Sequence, residues 1–88
     1  MATRRVTISA HNGVHARPVA ELARLALTSE RPVTVRTATG AEADLASVLA
    51  VMDLALAEGD VVELETADGP SSDALLDSLV DVLDPRRR

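Results

Sequence analysis

His15 and Arg17, within the stretch "HNGVHARPVAELARLA", are the residues whose types and spacing could do chemistry. A neutral imidazole is a nucleophile near neutral pH, and a guanidinium gives charge-assisted hydrogen bonds to a phosphoryl group. His15 stands where a loop passes into a helical pattern, as its N-cap or close to it. The first N–H groups of a helix lack intrahelical partners, and the aligned peptide dipoles place partial positive charge there. Such an end suits an anion, above all a phosphoryl group. The same field disfavours imidazolium, which predicts a neutral His15 with a free lone pair. Pro18 falls in the first turn, where its missing N–H costs little, and Gly13 lets the loop bend just before the histidine. Nucleophile, anion cradle (Ala16 and Arg17) and cation thus arise side by side.

Plainer readings of the same residues exist. His15 can be a solvated loop histidine, with Arg17 paired to Glu21 one turn on, which is worth about 0.2–0.5 kcal/mol. His11 and His15 are four apart, a spacing that suits a metal on a helix. Gly13, however, puts loop between them and no third ligand is near, so neither a metal nor a cofactor is expected. His11 reads as a loop residue beside the site. No serine or cysteine stands in a motif that would activate it for hydrolysis.

The elements that must position these residues follow from periodicity. "RRVTISA" alternates, with Val6, Ile8 and Ala10 on one side and Arg5, Thr7 and Ser9 on the other, as a half-buried strand does. "ARPVAELARLALT" is a helix that turns Val19, Leu22, Ala23, Ala26 and Leu27 inward and Arg17, Glu21, Arg24 and Thr28 outward. "RPVTVRTA" is a second strand on Val33, Val35 and Thr37, and Thr39-Gly40 turns it into a short polar strand, "AEADL". A short helix begins near Ser47, a good N-cap. Gly59-Asp60 opens a strand through Val62, Leu64 and Thr66, and Asp68-Gly69-Pro70 is a turn. The last helix carries Leu75, Leu76, Leu79, Val82 and Leu83 inward and Asp73, Asp77, Asp81 and Asp84 outward, and Pro85 stops it. The order β-α-β-β-α-β-α predicts an α+β fold of two layers: an antiparallel or mixed four-stranded sheet with helices on one side.

Composition limits the function classes. At 88 residues the chain is read as one domain over 1–88, with 85–88 as a flexible tail. It has no cysteine, so packing alone must hold it. No signal-peptide pattern and no bilayer-length apolar run is present, so the expectation is a soluble cytoplasmic protein. The net charge is −5 although three of the nine basic residues are Arg86, Arg87 and Arg88, and without them it is −8. An acidic body with no aromatic residue argues against nucleic-acid binding. Arg86–Arg88 are assigned no role.

"GVHARPV" resembles the active-site signature of HPr, the family of histidine-containing phosphocarriers of the bacterial sugar phosphotransferase system. The resemblance extends over the whole chain: its length, its element order, the placement of "SVLAVMDLA" and the "ADGP" turn before the last helix. It implies an open-faced β-sandwich, with three helices on one face of a four-stranded antiparallel sheet. It also implies that His15 accepts a phosphoryl group at Nδ1 from phospho-Enzyme I and donates it to EIIA domains, assisted by Arg17. A regulatory serine of the family aligns with Ser47, where an HPr kinase would act. Ala46 and Ala50 replace the basic residue and the glycine usual around it, so Ser47 reads equally as a plain N-cap. The family's docking surface implies Val14, Ala16, Ala20, Val48, Leu49 and Met52 as partner contacts, with Leu49 as an exposed anchor and Asp53 adding acidity to the rim.

A phosphocarrier for sugar uptake, a covalent relay rather than a turnover enzyme, is the function so implied, in a monomer that docks its partners transiently. The alternatives are a carrier for a nitrogen- or dihydroxyacetone-linked branch and a regulatory module bound by transcriptional regulators. A small-ligand-binding domain with an incidental histidine fits the Arg17-Pro18 context less well.

Overall fold

The computed structural model describes residues 1–9, 16–29 and 31–85 (for Ala16, the backbone). Four strands, β1 (Ala2–Thr7), β2 (Val33–Thr37), β3 (Glu42–Asp44) and β4 (Val61–Thr66), form one sheet in the order β1-β4-β2-β3. Every pairing is antiparallel. Three helices follow the predicted places: α1 (Ala16–Leu27), α2 (Val48–Asp53) and α3 (Ser72–Leu83). The architecture is therefore the α+β open-faced sandwich that the order of elements and the resemblance imply.

Strand alternation decides which sheet face is buried. Val33 and Val35 of β2, Ala43 of β3 and Val62, Leu64 and Thr66 of β4 turn inward, together with Val6 and Ile8. They meet Val19, Leu22 and Ala26 of α1 and Leu76, Leu79, Val80 and Leu83 of α3 in one core. The Thr66 hydroxyl sits within it and donates to the Pro32 carbonyl at 3.0 Å, so its burial leaves no orphaned polar group. β1 is extended past Thr7 by hydrogen bonds from the Ile8 N–H to Asp60 O (2.8 Å) and from the Gly59 N–H to Ile8 O (2.7 Å). Gly40, at φ +92°, makes the β2–β3 turn with a conformation that a side chain would strain.

Four details depart from the periodic reading. Leu27, expected inward, is 72% exposed, because at helical spacing it falls on the flank of the α1 stripe centred on Val19, Leu22, Ala23 and Ala26. Val80, not assigned inward, is buried, since i, i+3, i+4 and i+7 spacing puts Leu76, Leu79, Val80 and Leu83 on one face; Leu75 and Val82 flank it, half-buried. Ser9, expected outward, is buried where the chain leaves the sheet. Asp84, also expected outward, is half-buried and accepts a hydrogen bond from the Ser9 hydroxyl. Ala10 and the tail residues Arg86–Arg88 lie outside the described residues.

Candidate functional site

His15 immediately precedes Ala16, the first residue of α1. His11, Gly13, Val14 and His15 themselves lie outside the described residues, and β1 and α1 flank them in the sequence. The register of α1 is set by its buried stripe, Val19, Leu22, Ala23 and Ala26. That burial leaves Arg17, Ala20 and Arg24 on the exposed face, with Arg17 in the first turn as expected. Pro18, half-buried, is the next residue of that turn, where a proline removes no helical hydrogen bond.

Glu21 is occupied by Arg24 and not by Arg17. Both carboxylate oxygens accept from that guanidinium, Oε1 at 2.5 Å and Oε2 at 3.1 Å. The hydrogen bond from Arg24, reinforced by its charge, lowers the Glu21 carboxyl below its ordinary value and raises Arg24 above its own. The pairing that would have neutralised Arg17 is thus taken, and among the described residues no salt bridge engages Arg17. A guanidinium in the first turn of a helix, outside every salt bridge among the described residues, can serve an oxyanion.

α2 brings the second half of the surface. Ser47 caps it, its Oγ accepting from the Ala50 N–H at 3.3 Å. Val51 is its buried anchor, which turns Leu49 (77% exposed), Met52 (45%) and Val48 (36%) to solvent. α2 packs against α1. Sequence-predicted Ala20, Val48, Leu49 and Met52 are therefore all exposed, with Asp53 exposed beside them. Val14 is not described, and of Ala16 only the backbone is.

One neighbour of the site has no signal in local sequence. A groove lined by Arg17, Pro18, Ala20, Glu21 and Arg24 of α1 also takes in Val82 and Pro85 from the end of α3. Periodicity reports which face a helix buries, not which helix end meets which. Among the described residues no group of His, Cys, Asp and Glu side chains is arranged to hold a metal ion. No helix there is long and apolar enough to cross a membrane.

Four antiparallel strands with helices on one face define the class of small open-faced α+β sandwiches, here with an exposed arginine in the first turn of α1. Residues 2–84 match the sequence model described as "PTS HPr component phosphorylation site". The chain belongs to this family, the HPr phosphocarriers of the bacterial phosphotransferase system. It is 37% identical over 79 residues to a phosphocarrier protein HPr of Streptomyces coelicolor, covering 90% of this chain and 84% of that one. It is 35% identical over 77 residues to a phosphocarrier protein NPr of Proteus mirabilis, covering 88% and 84%. The fold superposes on the crystal structure of an HPr from Bacillus anthracis with a TM-score of 0.82 at 24% identity, over 94% of this chain and 96% of that one.

Proposed function

We propose that His15 is the phosphoryl-accepting residue and that this chain relays the group from phospho-Enzyme I to EIIA domains in sugar uptake. The observation that carries the reading is Arg17: an exposed guanidinium without a carboxylate partner among the described residues, two positions after the histidine, in the first turn of α1. In the relay the Nδ1–P bond of His15 forms as the donor's N–P bond breaks, and the reverse exchange loads the acceptor. Arg17 and the first N–H groups of α1 take up the charge on the phosphoryl oxygens. The group is held well enough to persist between two encounters and loosely enough to leave. Leu49, Met52 and Val48 supply the apolar contact for partners together with Ala20 of α1, and the family resemblance adds Val14 and Ala16. On this reading the chain is a monomeric cytoplasmic carrier, not an enzyme with turnover.

Loading the 15N-histidine-labelled chain with phosphoenolpyruvate, magnesium and Enzyme I tests the assignment at atomic resolution. Coupling between phosphorus and Nδ1 of His15, lost when an EIIA domain is added, is the expected result. Coupling at His11, or none with an active donor, contradicts it.

The likeness to a phosphocarrier NPr favours a second reading, the nitrogen-linked branch. Parallel loading by the sugar-branch and nitrogen-branch Enzyme I separates the two. The sugar reading expects the faster transfer from the former.

A further inference from the structure

We infer that Arg24 is a positioning residue for the transfer: by holding both carboxylate oxygens of Glu21, it keeps that side chain off Arg17 and leaves the Arg17 guanidinium open to the phosphoryl group. This rests on the reading of His15 and Arg17 above.

Glu21 stands between two arginines of α1, four residues after Arg17 and three before Arg24. At either spacing side chains are neighbours on a helix surface, so one carboxylate is within reach of both guanidinium groups. The structure shows which of them holds it. Arg24 donates from Nε to Oε2 at 3.1 Å and from Nη2 to Oε1 at 2.5 Å, the two-pronged match of a guanidinium to a carboxylate. Among the described residues neither side chain has another salt-bridge partner. The order along the chain favours this pair too. Glu21 precedes Arg24, the arrangement that agrees with the helix dipole, whereas a pair with Arg17 would run the other way.

Without Arg24, the remaining cation of α1 is Arg17. A carboxylate drawn to it competes with the phosphoryl oxygens for the same N–H donors, and its charge opposes theirs. Exposed pairs of this kind are weak, so the competition slows transfer by a small factor and does not abolish it. Arg24 itself touches neither the phosphoryl group nor the nitrogen that carries it. Its effect travels through Glu21.

The test is steady-state transfer from phospho-Enzyme I with the carrier concentration varied, alongside thermal unfolding. Arg24→Met keeps an unbranched stem and removes the charge; it is expected to lower kcat about threefold with KM within about twofold of the parent. Adding Glu21→Gln restores kcat, because the competing charge is gone. Glu21→Gln alone brings no gain, since Arg17 is already open in the parent. Arg24→Met with Glu58→Gln, an exposed position in the loop before β4, has the parent's net charge but keeps Glu21, and it stays slow. Hydrogen exchange at the arginine Nε–H groups reads the contact itself. Arg24 exchanges more slowly than Arg17 in the parent, and Arg17 slows in Arg24→Met. Parent-like kcat in folded Arg24→Met, no rescue by Glu21→Gln, rescue by Glu58→Gln, or unchanged exchange at Arg17 each overturn the inference. His15→Ala is run beside them. If it still takes up phosphoryl, the reading of His15 fails and the role of Arg24 with it; if it is silent while Arg24→Met runs at full speed, the role of Arg24 alone fails.

Discussion

Arg17 and Leu49 illustrate how a single exposed side chain acquires a role from what its neighbours bury. Arg17 is exposed because Val19 and Leu22 are not, and it is unpaired among the described residues because Arg24 has taken both oxygens of Glu21. Removing it should cost transition-state charge stabilisation and leave the fold intact: Arg17→Ala lowers the transfer rate constant by about a hundredfold at unchanged unfolding temperature. Arg17→Lys restores only part, since a point charge cannot reproduce the fork. Rapid-quench transfer from phospho-Enzyme I reads both. Leu49, at 77% exposure, contributes to no core and is available to a partner. Leu49→Ala should raise KM for the donor about tenfold and leave kcat and stability alone, as truncation of a central apolar contact does.

At the scale of elements, α2 is the telling case. It spans only Val48–Asp53, is held by the Ser47 cap and the buried Val51, and ends with Ala55 at φ +52°. A left-handed alanine costs roughly 1–2 kcal/mol, which glycine avoids, while the greater freedom of glycine in the unfolded chain offsets about 0.5–1 kcal/mol of that gain. Ala55→Gly should therefore stabilise the fold by about 0.5–1 kcal/mol, seen as a higher denaturation midpoint at constant slope. The cap at Ser47 and the buried stripe of α1 were both legible in the sequence, because each is a local signal: a hydroxyl before a helical run, and a 3.6-residue period. Ser9 was not. Strand alternation assigns it outward, and only the end of α3, seventy-five positions away, turns it in. Leu27 failed for another reason: it stands on the flank of the stripe, and no element covers that flank although Ala26 beside it is buried. No pattern within a helix records where its partner elements end.

At the scale of the whole molecule, the sheet's two faces do different work. The inner face is apolar, while the outer face carries a row across all four strands, Arg5 opposite Glu63, Glu63 opposite Arg36, Arg36 opposite Glu42. Arg36 bonds Glu42 at 3.0 Å and lies 3.5 Å from Glu63, and the hydrogen bond to Glu42 raises its pKa above the ordinary value. Exposed pairs of this kind add little to stability, so the fold depends on the face beneath. Leu64, fully buried on the central strand β4, is at the middle of that face. Leu64→Ala should destabilise by about 3 kcal/mol, a large part of what a domain of this size has, measured by urea unfolding. The same two layers carry α1 and α2 packed together on one side, so the apolar patch of α2 lies beside the helix that follows His15 in the sequence. The measurement that tests the relay most directly is intact mass after incubation with phosphoenolpyruvate, magnesium and Enzyme I, kept alkaline because phosphohistidine is acid-labile. A gain of one phosphoryl group, absent in His15→Ala and reversed by acid, is the predicted result; no gain with an active cognate donor, or an equal gain in His15→Ala, contradicts the account.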